Sequence, residues 1–183
     1  MLQRILTTIT LIAVLSMLGL PAASALQAAG TPALFEGTII DLADSDGWGV
    51  ARACVVEPAL VRCFRTEAEL DRHLDEPSQP VRGLGPIPGA SPMSTCSTTL
   101  RLYRSTGFGG AVLALSTRLA WINLSTYGFN NDTSSYRVGG CAATFAEGAS
   151  GGTPYYPGPT GAAASASSMI SGWDDRVSSV WIH

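Results

Sequence analysis

The sequence contains no lysine: all 11 basic residues are arginine, against 14 acidic ones. The arginines do not cluster, so no basic stripe is present to track a phosphate backbone, and nucleic acid is not an expected partner. Histidine is limited to His73 and His183. No H-E-x-x-H occurs, which removes the zinc-protease pattern, and no glycine-rich loop precedes a helix to cradle a phosphate. The four cysteines lack the paired C-x2-C spacing of a structural zinc site. Only one long apolar run exists, residues 9–20, and it is too short for a membrane helix.

That run has another use. Arg4 precedes it and Ala23-Ser24-Ala25 follows it, the charge, apolar stretch and small-residue site of a secretory signal. Residues 1–25 are therefore read as a signal peptide. The mature chain is roughly 158 residues, secreted and extracellular, with no membrane contact after signal removal. Export makes disulfides the default state of Cys54, Cys63, Cys96 and Cys141. Four cysteines allow three pairings, and spacing alone does not choose. The expectation adopted is Cys54–Cys63, closing a short hairpin, with Cys96–Cys141 stapling the starts of the two C-terminal halves.

Residues 26–76 form a small acidic N-terminal segment. Weak order is expected at its start, with one strand over 33–42. Two strands, 48–56 and 60–64, flank a Glu57-Pro58 turn. Thr66 with Glu69 makes a capping box that opens a helix over 67–74, and Phe64, Leu70 and Leu74 fall on its apolar side. Residues 77–95 hold five prolines and three glycines, an extended linker that marks the expected domain boundary. From Cys96 onward short apolar strands alternate with Gly, Asn and Ser turns: 99–104, 111–115, 120–124, 134–138, 141–146 and 178–182. That spacing predicts an all-β sandwich over 96–183.

The strands contain a repeat. Residues 127–138 read YGFNNDTSSYRV and residues 171–182 read SGWDDRVSSVWI. At an offset of 44, Gly128 falls on Gly172, Phe129 on Trp173, Asn130-Asn131 on Asp174-Asp175, and Ser134-Ser135 on Ser178-Ser179. Upstream, Tyr103-x4-Phe108-x-Gly110 is matched to Phe145, Tyr156 and Gly158, with a gap six residues longer in the second copy. Each unit of about forty residues would leave one apolar face uncovered, and two units facing each other close one core.

Two such units, each with an aromatic hairpin and an Asn/Asp-Asn/Asp-x-x-Ser/Thr-Ser corner, resemble a microbial βγ-crystallin domain. The stretch 121–136 also resembles secreted bacterial proteins grouped with metalloproteinase inhibitors, which share that architecture. The resemblance covers residues 96–183. It implies a double Greek-key sandwich and a calcium double clamp in which each signature lends ligands to both sites. Asn131 and Asp175 would give side-chain oxygens, Ser134 and Ser178 hydroxyls, and residues 132 and 176 backbone carbonyls. Asn130, Asp132, Asp174 and Arg176 complete the two corners, Arg176 standing at a free position beside the expected cation. Calcium takes six to eight hard oxygens at about 2.3–2.6 Å. With three carboxylates nearby, the sites are expected to be weak, with Kd on the order of 10⁻⁵ to 10⁻³ M.

The alternative function is a proteinaceous inhibitor of extracellular (metallo)proteases. Its contact segment would be Pro154, Tyr155, Tyr156 and Pro157 within the loop 148–164, stiffened by proline. A third reading is a cell-envelope or toxin-like module that binds through the acidic N-terminal segment. Enzymatic activity is not expected. Gly148-x-Ser150-x-Gly152 matches a nucleophile elbow in letters only, since no strand-to-helix turn surrounds it. Trp121, Trp173 and Trp181 are expected in core or rim packing rather than on sugar.

Overall fold

A computed structural model describes residues 31–42, 46–76 and 99–183. The signal peptide, the linker and Cys96 lie outside the described residues. Among the described residues no helix is long and apolar enough to cross a membrane.

The described part of the N-terminal segment contains more strand than its composition predicts. Strands β1 (Pro32–Phe35) and β2 (Thr38–Asp41) form an antiparallel hairpin in place of the single strand expected over 33–42. Its turn needs left-handed backbone at Glu36 and Gly37. Strands β3 (Ala53–Val56) and β4 (Val61–Phe64) pair antiparallel, and Cys54 faces Cys63 across them in a disulfide. Trp48 belongs to a 3-10 turn, Asp46–Trp48, rather than to β3. Helix α1 spans Glu67–Asp75. Thr66 caps it by accepting from the Glu69 N–H at 3.2 Å, while Glu69 reaches back to the Arg65 N–H at 2.9 Å, one residue beyond the usual return bond of a capping box.

The C-terminal half supplies β5 (Leu100–Ser105), β6 (Gly109–Leu115), β7 (Trp121–Asn123), β8 (Ser135–Arg137), β9 (Ala143–Ala146), β10 (Ser165–Ala166) and β11 (Ser179–Ile182). They form two sheets. One has the order β10-β8-β5-β6-β3-β4-β1-β2, the other β7-β11-β9. In each repeat the fourth strand returns beside the first, β8 on β5 and β11 on β9, which is Greek-key order. The third strand of each repeat crosses to the other sheet: β7 lies on β11 and β10 on β8. The two repeats are thus interlocked as a double Greek-key sandwich, and the core between them contains Leu102, Leu113, Phe129, Tyr136, Phe145 and Val180.

The N-terminal segment is built into this sheet. Strand β3 pairs in parallel with β6, Cys54 opposite Leu113 and Val56 opposite Leu115. The boundary expected over 77–95 therefore does not separate two cores. Trp48 is buried in the sandwich core, 5.7 Å from the Phe129 ring, and donates to the Tyr127 carbonyl at 2.8 Å. Helix α1 covers the outer face of the same sheet, where Leu70 joins Ala53, Val55, Tyr103, Val112 and Ala114 in a second small core. Strands β3 and β6 are consequently apolar on both faces, as strands buried on both sides must be. The helix is tied down by Glu67, which accepts from Tyr103 Oη and Arg101 at 2.7 Å each, and by Asp71, which accepts from Arg101 at 2.6 Å.

Leu74 does not share the buried side of α1; it is 37% exposed. Leu70 is the buried apolar residue of the helix. Leu70→Ala should cost about 2–4 kcal/mol and Leu74→Ala less than about 0.5 kcal/mol, read from urea unfolding midpoints at equal m.

Candidate metal centre

The two signature corners meet. Asn131 and Asp175 both adopt the left-handed conformation, at φ 52° and 54°. Asn and Asp tolerate that region because their short polar side chains bond nearby backbone. The conformation turns each peptide N–H toward the other repeat: Asn131 donates to the Val177 carbonyl at 3.0 Å and Asp175 to the Thr133 carbonyl at 3.2 Å. The side chains cross in the same sense. Ser178 Oγ donates to Asn131 Oδ1 at 2.9 Å, and Ser134 Oγ to Asp175 Oδ1 at 3.3 Å. The structure therefore brings together Asn131 with Ser178, and Asp175 with Ser134, one pair on each side of a local two-fold.

The second serine of each corner has a different task. Ser135 Oγ donates to the Ser105 carbonyl at 2.6 Å and accepts from the Phe108 N–H at 3.1 Å. Ser179 Oγ donates to the Gly148 carbonyl at 2.7 Å and accepts from the Gly151 N–H at 3.0 Å. Both are fully buried and latch the folded hairpins. Asn130 and Asp174 point into solvent.

Charged neighbours flank each pair. Arg104 Nε lies 2.6 Å from Asp132 Oδ2, but too poorly aligned to make a hydrogen bond. The guanidinium lies against both the Trp48 and Phe129 rings, 4.9 and 5.0 Å from their centroids, and donates to the Gly128 carbonyl at 2.8 Å. Burial pushes the Asp132 carboxyl above its usual range; Arg104 opposes that shift and Asp175 adds to it. Burial likewise lowers the Arg104 guanidinium, with Asp132 opposing. In the second repeat Arg176 bonds Glu147 Oε2 at 2.5 Å and the Gly172 carbonyl at 2.6 Å.

These two ion pairs are equivalent by register. The Ser134 N–H donates to the Tyr103 carbonyl and the Ser178 N–H to the Ala146 carbonyl, both at 2.9 Å. Arg104 thus corresponds to Glu147, and Asp132 to Arg176, with the charges exchanged. Arg104 and Glu147 lie outside both corner signatures. The signal that could have found them is this exchange of signs at matched positions.

The same register corrects the match of the hairpins. Tyr103 corresponds to Ala146, not to Phe145, and Phe108 to Gly151, not to Tyr156. Residues 106–108 and 149–151 are the same 3-10 turn, with Gly107 and Ser150 both left-handed. No gap of six is needed. The aromatic that Gly151 lacks comes from another strand: the Trp121 indole lies flat on it, so closely that a Cβ there would fall 2.3 Å from Trp121 Cε2. Ser150 is thereby placed in a hairpin, bonded through N–H and hydroxyl to the Asn123 side chain at 2.6 and 3.2 Å. His73 is engaged with Glu57 at 2.9 Å and His183 with Thr144 at 2.8 Å.

The loop 148–164 is less free than expected. Tyr156 is a core residue, ringed by Tyr136, Phe145 and Trp173. Tyr155 is 49% exposed but stacks on Trp121, 6.1 Å away. Pro154, after a cis peptide, and Pro157 are exposed beside them. Trp173 is buried, and Trp121 and Trp181 form a half-buried pair on the rim of the small sheet. Cys141 is disulfide-bonded; the expected partner, Cys96, is outside the described residues.

No family model and no curated protein matches the chain. Solved structures are similar to just under half of the chain. A beta gamma crystallin from Ciona intestinalis is 26% identical, with a TM-score of 0.39 over 46% of this chain and 99% of that one. A βγ-crystallin domain from Flavobacterium johnsoniae is 22% identical, with a TM-score of 0.38 over 46% and 92%. A βγ-crystallin from an archaeon is 20% identical, with a TM-score of 0.34 over 46% and 96%.

The hairpin register carries its own test. Gly151→Ala adds a Cβ under Trp121 at φ +83°, and should cost about 3 kcal/mol or more with a shifted tryptophan emission. Gly107→Ala, at φ +69° with open space around it, should cost only about 1 kcal/mol.

Proposed function

We propose that the protein is a secreted binding module whose paired corners hold calcium, and that the ion stabilises the interlocked repeats. The observation that carries this reading is the reciprocal pairing of Asn131 with Ser178 and of Asp175 with Ser134. The donor set fits a hard cation: amide, carboxylate and hydroxyl oxygens, with no thiolate or imidazole among them. One of the three buried polar side-chain atoms without a hydrogen-bond partner among the described residues, the oxygen Thr133 Oγ1, lies at this corner. Asn131, Asp175, Ser134 and Ser178 would hold the ions with backbone carbonyls of residues 132 and 176. Bound calcium would supply positive charge that draws the corner oxygens of both repeats together. Export is proposed on the signal pattern at 1–25 and the disulfides.

The inhibitor reading has less support. An inhibitory segment needs a rigid, exposed apolar contact. Here Tyr156 is buried, and Tyr155 is partly covered by its stack on Trp121. Undiminished peptide hydrolysis by a thermolysin-like enzyme, with the protein in excess, would count against it further.

At a hundredfold excess of calcium over Kd, linkage adds about 2.7 kcal/mol per site, a rise in Tm of roughly 5–10 °C for a chain of this size. The rise should vanish with chelator and in the double variant Asn131→Ala, Asp175→Ala. A melt unchanged at about 100 mM calcium, a hundredfold over the weakest Kd expected, would remove the calcium reading and leave the fold.

A further inference from the structure

We propose that Arg104 is a tethered counter-cation that competes with calcium at the Asp132–Asp175 side of the clamp. The two sites are then unequal, and the acidic one is held below its full affinity by the protein itself. This inference rests on the calcium reading above and concerns how that site is regulated.

The two sides of the clamp differ in charge. One side has the Asp175 carboxylate with Ser134, and Asp132 directly precedes Thr133, whose carbonyl accepts from the Asp175 N–H at 3.2 Å. The other has the neutral Asn131 amide with Ser178, and the residue equivalent to Asp132 is Arg176. A divalent cation is drawn to the first side and gains little from the second.

The acidic side already contains a positive charge. The Arg104 side chain is 18% exposed, with Nε 2.6 Å from Asp132. Its place is fixed by contact with the Trp48 and Phe129 rings, 4.9 and 5.0 Å away, and by Gly128, which accepts from its Nη2 at 2.8 Å. Its counterpart Arg176 is 44% exposed, so water screens that charge far more. The contact with Asp132 is charge attraction without an aligned hydrogen bond. That is the kind of pairing a calcium ion can replace, since calcium binds a carboxylate without a donor angle to satisfy. Trp48 comes from the N-terminal segment, so that segment helps keep the arginine in place.

The test is a calorimetric calcium titration of the full chain and its variants, with thermal melts in chelator to follow folding. Arg104→Met keeps the bulk against the two rings and removes the charge; binding at the acidic site should tighten roughly tenfold, as expected for one charge removed near a divalent ion in a water-like medium. Arg104→Lys keeps the charge and should leave affinity within about twofold of the parent on the same argument. Arg104→Gln, which retains a donor toward Gly128, serves as a second neutral variant should the methionine variant not fold, and should also tighten binding. A purely structural arginine predicts the reverse, weaker binding in both neutral variants; that result, or no change in a folded neutral variant while the parent binds, overturns the inference and leaves the calcium reading standing. A parent that is silent while the neutral variants bind supports the inference. Silence in the parent and in every folded neutral variant overturns both.

Discussion

Two peptide N–H groups, at Asn131 and Asp175, donate to carbonyls of the other repeat. Each such bond contributes about 1 kcal/mol net. The constraint therefore acts on specificity more than on stability. Neither repeat completes its corner unless the other stands in register beside it. The exchange of β7 and β10 between sheets imposes the same condition on the strands, and the shared aromatic core imposes it on the side chains. Backbone, strand order and packing all demand the same mutual placement, which is the consistency expected of a sequence that specifies one structure.

The first repeat has a further dependence that the second lacks. Strand β6 would be a sheet edge, with a row of unpaired backbone groups open to other chains. The N-terminal segment covers it by laying β3 alongside and α1 over the outer face. The corresponding edge of the second repeat is shortened to a single bridge, Ala146 to Tyr155, and its face is closed by Trp121, Tyr155 and Trp181. One repeat is thus completed by another part of the chain and the other by its own aromatic residues.

Much of the C-terminal half was legible in the sequence, because strand periodicity and turn residues are local signals. The alternation of Leu100 and Leu102 with Arg101 and Tyr103 places them on opposite faces, as found. The corner residues were legible because a repeated signature fixes which positions correspond. The docking of the N-terminal segment was not, since parallel pairing of β3 with β6 uses backbone groups that every residue carries. A trace of it lay in the unbroken apolar runs 53–56 and 111–115, which one-sided strands do not need. The hairpin match failed for a related reason. It followed aromatic letters, and at Gly151 the ring is supplied by Trp121 from a different strand. The edge strand β10 is two residues long and leaves no periodic trace.

The exchange of charge between repeats follows from this asymmetry. In the first repeat the position after Tyr103 faces Trp48 and Phe129, and a guanidinium there gains from both rings as well as from Asp132. A carboxylate at that position would meet the negative faces of the same rings. In the second repeat no N-terminal tryptophan arrives. Glu147 stands at the matched position, and the arginine moves to the corner, where Arg176 lies over Trp173 at 5.5 Å. Each ion pair thus keeps its cation against an aromatic face. Because Trp48 belongs to the N-terminal segment, docking of that segment adds a second ring beside the arginine that pairs with Asp132, and so deepens the electrostatic difference between two corners whose backbones are nearly the same.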